Sequence, residues 1–110
     1  MRLVLFGKAK VEQLSLEGIY LLSDEKYKGH PKWISENGTR SIRYESDGSW
    51  YVGGVSKEGK KFKGTYLGGL AGPKNDDSLP HYITKGWRYR GAQVLEVAAP
   101  NDVVFETIGR

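Results

Sequence analysis

Glycine and proline are spread so evenly along this chain that little room is left for helices. The 110 residues include 15 glycines and four prolines. Inside a helix, each glycine costs about 1 kcal/mol and each proline about 3 kcal/mol relative to alanine. Only residues 8–17 carry apolar side chains near helical spacing, enough for a turn or two. The chain is therefore predicted to consist of strands and turns.

Two turn-forming dipeptides divide the middle of the chain into three strands. Asn37-Gly38 and Asp47-Gly48 tolerate the positive φ angles of tight hairpin turns. Between the turns, over residues 39–45, two sets of side chains alternate: Arg40, Ile42 and Tyr44 on one face, and Ser41, Arg43 and Glu45 on the other. After the second turn, over residues 49–55, Trp50 and Val52 alternate with Ser49 and Tyr51. The sequence therefore predicts a three-stranded antiparallel meander that begins near residue 32.

Short apolar runs between turns continue on both sides of this meander. Further strands are predicted over residues 2–6, 18–23, 62–70, 81–89, 92–98 and 103–107. Residues 71–80 contain two prolines and are predicted to be the longest loop, which serves either a functional role or connection alone. Because an open sheet of short strands exposes unpaired edges, we expect a barrel or a sandwich. The fold prediction is all-β, a single antiparallel domain over residues 1–110 with about seven to nine strands.

Composition excludes several classes of protein. The chain has no cysteine, which excludes disulfides and thiolate metal sites. The apolar start, residues 1–6, is too short for the core of a signal peptide, and no segment is long enough to cross a bilayer. We therefore expect a cytoplasmic protein without a membrane span. The net charge of +4 permits an anionic partner without requiring one.

Catalytic and metal-binding patterns are not found in the sequence. The two histidines, His30 and His81, lie in separate proline-containing loops, so a zinc site would need the fold to bring both together with carboxylates. His81 follows Asp77 and Ser78 closely, but no nucleophile-elbow pattern surrounds them. The glycine pair at residues 53–54 lacks the Lys-Ser/Thr pair of a phosphate loop. We predict no enzyme activity, no cofactor and no metal.

Aromatic and basic residues interleave over residues 85–90. In a strand, Trp87 and Tyr89 would face one side and the two arginines the other. Together with a lysine cluster, the arginines would suit phosphate, sulfated glycan or acidic peptide. If the rings were exposed as stacking platforms instead, the segment would suit single-stranded nucleic acid. The alternative is a core pair of rings beside a solvated basic edge. The candidate polyanion-binding residues are Lys57, Lys60, Lys61, Arg88 and Arg90.

Aromatic residues are more numerous than a core of this size requires. Three Trp, seven Tyr and three Phe make up 12% of the chain, and β modules that bind sugars present exposed rings. The rings predicted to be exposed are Tyr27, Tyr51 and Tyr82, because Tyr51 opposes the Trp50 face of its strand and the others flank proline-containing loops. The predicted function is non-catalytic recognition of a protein or a glycan. Binding of nucleic acid or another polyanion is the alternative.

Five short motifs follow one another along about residues 18–90. They are Gly18-x-Tyr20, Gly29-His30-Pro31-x-Trp33, Ile42-Arg43-Tyr44, Trp50-Tyr51-Val52 and Leu79-Pro80…Gly86-Trp87. The series resembles a small β module that is repeated in many eukaryotic multidomain proteins. The basic residues after Trp87 depart from that pattern. The resemblance implies an all-β interaction domain without a shared set of catalytic residues.

Overall fold

A computed structural model describes residues 1–7, 16–54, 69–90, 95–98 and 102–108, and for residues 90 and 95–97 it describes the backbone. Nine strands lie in these ranges: β1 (Arg2–Gly7), β2 (Gly18–Leu22), β3 (Trp33–Ser35), β4 (Arg40–Tyr44), β5 (Trp50–Gly54), β6 (Gly69–Ala71), β7 (Arg88–Arg90), β8 (Leu95–Val97) and β9 (Val103–Ile108). One turn of 3-10 helix, Pro80–Tyr82, precedes β7. The all-β prediction is confirmed. None of the described residues belongs to a helix long and apolar enough to cross a membrane.

All nine strands belong to one antiparallel sheet. Their order is β8-β7-β6-β5-β4-β3-β2-β1-β9, so each strand from β1 to β8 pairs with its neighbour in sequence. Strand β9 returns to pair with β1, where Arg2 lies opposite Ile108. The predicted meander is confirmed in β3, β4 and β5, where Ile42 lies between Trp33 and Val52.

The sheet is curled into a partial barrel. In the sheet order, β7 and β9 are seven positions apart, which would be about 34 Å in a flat sheet. Nevertheless, the ring of Trp87, next to β7, lies 5.0 Å from the ring of Phe105 in β9, centroid to centroid. Curling therefore brings distant strands together around one core.

The concave inner face of the sheet carries the core. Alternation along each strand sends every second side chain inward, and the fully buried ones include Leu3, Leu5, Tyr20, Trp33, Ile42, Trp50, Val52 and Leu70. The hydroxyl of Tyr20 donates to the carbonyl of Leu16 at 2.7 Å, and burial raises the pKa of Tyr20 well above its ordinary value. Trp87 and Tyr89 also belong to this core, as in the core-pair interpretation of residues 85–90.

One predicted strand is wrong over most of its length. Residues 81–89 were expected to be extended throughout, but the 3-10 turn occupies the start and β7 begins only at Arg88. Pro80 opens that turn and lacks a backbone N–H for strand pairing. Gly86 then adopts a φ of 89°, which interrupts an extended chain. Most of the predicted strand over residues 62–70 lies outside the described residues.

Candidate functional site

Three connections meet at one end of the curled sheet, which we call the loop end. They are residues 23–32, 45–49 and 72–87. The antiparallel registers place them together, because β3, β5 and β7 begin at this end while β2, β4 and β6 finish there. The loop end therefore combines the two longest connections that the structure describes with a tight hairpin turn.

The hairpin turn between β4 and β5 is fastened to the connection after β6. The backbone N–H of Asn75 donates to the carbonyl of Gly48 at 2.7 Å. The ammonium of Lys74 lies 3.2 Å from the carboxylate of Asp47. Although burial opposes ionisation, the hydrogen bond from Tyr51 and the ammonium of Lys74 hold the pKa of Asp47 below its ordinary value. These contacts fix the connection of residues 72–87, which we call the acidic loop after Asp76 and Asp77, relative to the sheet.

Three rings form an aromatic stack at the loop end: His30, Tyr44 and Trp50. His30 stacks on Tyr44 with 4.4 Å between ring centroids, and Trp50 meets Tyr44 edge to face at 5.3 Å. Trp33 lies behind Trp50 at 5.9 Å. The two tryptophans are fully buried, whereas His30 and Tyr44 are partly exposed. The indole N–H of Trp50 donates to the carbonyl of Ser78 at 2.7 Å, so its ring is held in place.

A tight turn delivers His30 to this stack. Lys28 and Gly29 have φ angles of 53° and 82°, which is the pattern of a type I′ hairpin turn. Tyr27 and His30 bond each other across it, with N–H to carbonyl distances of 2.8 and 3.0 Å. The ring of His30 is thereby aimed at Tyr44, and its Nδ1 lies 3.2 Å from the Lys28 carbonyl oxygen.

A single carboxylate ties the same turn to β4. Glu45 accepts hydrogen bonds from the hydroxyl of Tyr27 at 3.2 Å and from the ammonium of Lys28 at 3.0 Å. It also accepts one from Nε of Arg43 at 3.1 Å. The side chain of Arg43 is 3% exposed, so this arginine meets a negative charge inside the protein. Residues 23–32 are held to the sheet by this group.

Acidic side chains lie near enough to Tyr44, at the exposed edge of the stack, to act on its hydroxyl electrostatically. Burial raises the pKa of Tyr44, and the nearby carboxylates of Asp77, Asp76 and Asp47 raise it further. Within the described ranges, neither Asp76 nor Asp77 belongs to an ion pair. The backbone N–H of Ser78 donates to Asp76 at 3.0 Å, which orients that carboxylate. The loop end thus places hydrogen-bond acceptors beside flat rings.

The three tyrosines predicted to be exposed have different environments. Tyr82 is 68% exposed on the 3-10 turn, as predicted. Tyr27 is half-buried because its hydroxyl is used by Glu45. The prediction for Tyr51 is wrong: it is 5% exposed, and its hydroxyl donates to the carboxylate of Asp47. Tyr51 does point away from the core face, but the outer face is itself covered there, as the buried Arg43 opposite shows.

The predicted basic patch is described only at Arg88. Its guanidinium donates to the carbonyl of Gly72 at 2.6 Å, and the side chain is half-buried. Structurally, Arg88 helps to hold the connection after β6. The other members of the patch, Lys57, Lys60 and Lys61 and the side chain of Arg90, lie outside the described residues.

The aromatic stack was not predicted as a site, although two of its three rings could have been found from the sequence. Tyr44 and Trp50 flank the predicted turn at Asp47-Gly48, and the structure pairs them directly across β4 and β5. Counting outward from that turn would have found the pair. His30 could not be found this way. Its position against Tyr44 depends on the positive φ of Lys28, which no sequence motif predicts.

No family model, no curated protein and no solved structure matches this chain. In the part of the chain that the structure describes, no three histidine or acidic side chains are grouped closely enough to hold a metal ion. Function must therefore be inferred from the geometry of the loop end.

Proposed function

We propose that this chain is a non-catalytic binding module whose loop end recognises a glycan or protein partner. The aromatic stack carries the proposal, because two partly exposed rings are fixed from behind by a buried one. Rings held in this way have little freedom left to lose when a ligand covers them. The resemblance of the motif series to eukaryotic interaction modules agrees with a binding role.

Among ligand classes, a neutral glycan fits these residues best. A sugar presents a flat C–H face, which would lie against the faces of His30 and Tyr44 that are not stacked on each other, and a rim of hydroxyl donors. The carboxylates of Asp76 and Asp77 offer acceptors for such donors beside the rings. A few fixed polar groups next to an apolar surface are typical of small-ligand sites.

The surroundings of both histidines support a non-catalytic role. Nδ1 of His30 contacts a backbone carbonyl, and the ring of His81 lies 4.1 Å from that of Tyr82. A general base needs a nucleophile or a substrate proton within hydrogen-bond reach. In the described ranges, neither histidine is hydrogen-bonded to a hydroxyl or thiol side chain.

Polyanion binding through Arg88, Arg90 and the lysines at 57, 60 and 61 is the competing proposal. Beside the aromatic stack, the carboxylates of Asp76 and Asp77 would repel a phosphate or sulfate. The net charge of +4 is the observation in its favour. The two proposals differ in salt dependence, because release of counterions makes polyanion binding weaken steeply with salt.

Titration of tryptophan fluorescence with neutral oligosaccharides tests the glycan proposal. The probes are cello-, chito- and manno-oligosaccharides, and the chains are the wild type, Tyr44→Ala and His30→Ala. Phe6→Ala, which removes an exposed ring from β1, is the matched control. We expect saturable binding by the wild type and by the control, a loss of about tenfold or more in the two stack variants, and little change with salt.

Two other results would redirect the proposal. Retention on heparin that falls steeply with salt and disappears in the Arg88→Ala/Arg90→Ala double variant would favour the polyanion. If none of the three sugars gives a saturable change and heparin does not retain the chain, the neutral-glycan proposal fails and a protein is the remaining partner for the loop end.

A further inference from the structure

The outer face of one half of the sheet carries apolar side chains. Strand β1 buries Leu3 and Leu5 in the core, so alternation turns Arg2, Val4 and Phe6 outward. The same alternation applies in β2 and β9, where the residues paired with these three also point outward, and in β3, where Ile34 is paired with Leu21. The outer apolar patch consists of Val4, Phe6, Ile19, Leu21, Ile34 and Val104.

The members of the patch are neighbours across the strands. Val4 lies opposite Ile19, Phe6 opposite Val104, and Leu21 opposite Ile34, and such pairs have Cβ atoms about 5 Å apart. Phe6 is 42% and Leu21 40% exposed. The solvent side of an antiparallel sheet is normally polar, so an apolar strip there marks a candidate interaction surface.

The charges on this face make the patch complementary to itself. Arg2 and Glu106 point outward from adjacent strands, because Arg2 lies opposite Ile108 and Glu106 lies opposite Val4. A two-fold axis through the patch can set Arg2 of one copy against Glu106 of the other, and the reverse pair then forms by symmetry. In that arrangement Arg2 and Glu106 each face an opposite charge of the other copy.

We propose that two copies of this chain associate back to back through the outer apolar patch. Two sheets packed face to face lie about 10 Å apart, which leaves room for one interdigitated layer of the patch side chains. The largest apolar patch on a typical monomer covers about 300–600 Å², less than the about 800 Å² per partner of a stable interface. The dimer is therefore weak and depends on concentration. The dimer leaves the loop end accessible, and its test is independent of the glycan proposal.

Sedimentation velocity over a concentration series tests the dimer with a matched pair of variants. Leu21 and Leu22 are adjacent and each 40% exposed, but Leu22 lies opposite Trp33 on the core face while Leu21 lies in the patch. We expect Leu21→Ser to raise the monomer–dimer Kd at least about tenfold, and Leu22→Ser to leave it near that of the wild type. A wild type that stays monomeric up to about 1 mM, or two variants with equal effects, would overturn the proposal.

Charge reversal separates an intermolecular pair from one within a single chain. Arg2→Glu and Glu106→Arg each set like charges against each other across the proposed interface, so each variant alone should be monomeric where the wild type dimerises. In an equimolar mixture both pairs across the interface are again of opposite charge. Within each chain, however, positions 2 and 106 still carry charges of the same sign. Recovery of the dimer in the mixture is expected. A mixture that stays monomeric, with both variants folded by circular dichroism, contradicts the interface.

Discussion

The carboxylate of Glu45 accepts hydrogen bonds from two cations whose surroundings differ. The side chain of Lys28 is 46% exposed and that of Arg43 is 3% exposed. An exposed ion pair contributes little to stability, but a buried cation deprived of its counter-charge is strongly destabilising. At the scale of single residues, burial therefore makes the contact with Arg43 the one that matters most for stability, while Tyr27 and Lys28 supply the link to residues 23–32.

His81 gives a pH-dependent term of predictable sign. Burial lowers the pKa of His81 from its ordinary 6.5, and its buried Nδ1 has no hydrogen-bond partner among the residues that the structure describes. The unfolded chain takes up a proton near pH 6.5, while the folded chain resists doing so until a lower pH. The free energy of unfolding should therefore fall as pH drops through 6.5, and level off below the folded-state pKa.

Urea unfolding at pH 7.5 and pH 5.5 measures this term. The wild type should lose more stability between the two pH values than His81→Gln, which has no titrating ring at that position. Equal losses in the two proteins would mean that another group is responsible.

At the scale of elements, the contact between the hairpin turn and the acidic loop depends on a glycine. Gly48 has a φ of 91°, and a Cβ added there would lie 2.8 Å from Oδ1 of Asn75. Gly38, in the other hairpin turn, has a φ of 77°, and a Cβ added there would have no described atom within 4 Å. Gly38→Ala should therefore cost about 1 kcal/mol for backbone strain alone, and Gly48→Ala should cost more.

Chemical denaturation of the two alanine variants compares these costs. Asn75→Gly in the Gly48→Ala background removes the obstructing side chain, and glycine accepts the positive φ of position 75 (59°). It should recover the steric part of the loss. If Gly48→Ala is no worse than Gly38→Ala, the turn and the loop are not as closely packed as described.

The elements that sequence reasoning located are those defined by local patterns. Alternation and two turn dipeptides placed β4 and β5 to within about two residues, and they placed Trp50 inward. The same alternation placed Tyr51 outward, yet exposure did not follow. What covers an outer face is decided by contacts between elements, such as the hydrogen bonds that Tyr27 and Lys28 donate to the carboxylate of Glu45, next to β4. Alternation carries no information about such contacts.

On the scale of the whole molecule, the contact between Trp87 and Phe105 joins the two ends of the sheet. Trp87 lies next to β7, near one end of the strand order, and Phe105 lies in β9, at the other end. Both rings are at least 95% buried, and their centroids are 5.0 Å apart. Phe105→Ala removes one side of this contact and leaves a cavity, so a loss of about 3–5 kcal/mol is expected. Because one core serves the whole sheet, the variant should still unfold in a single transition.

Tryptophan fluorescence and far-ultraviolet circular dichroism, recorded along one denaturation curve, check this expectation. Coincident curves are expected for the wild type and for Phe105→Ala. Separate midpoints in the variant would show that the β1–β9 side of the sheet unfolds independently of the rest.

Pairing of β1 with β9 also lay beyond the sequence. Each strand was predicted, but their partnership joins residues about a hundred positions apart, and no turn between them reports it. Such non-local pairing is decided by the total burial that the curled sheet achieves. It also predisposes a chain to fold slowly, because a long loop must close before the contact forms.

That pairing brings the two extremities of the fold side by side. Arg2 and Ile108 are cross-strand partners, so the chain enters and leaves the sheet with backbones about 5 Å apart. A fold with adjacent entry and exit points can be spliced into a surface loop of another protein without prising that loop open. For the same reason, a short glycine-rich bridge between the two extremities, with new ends cut at the Asn37-Gly38 turn, would give a circular permutant that retains every described strand.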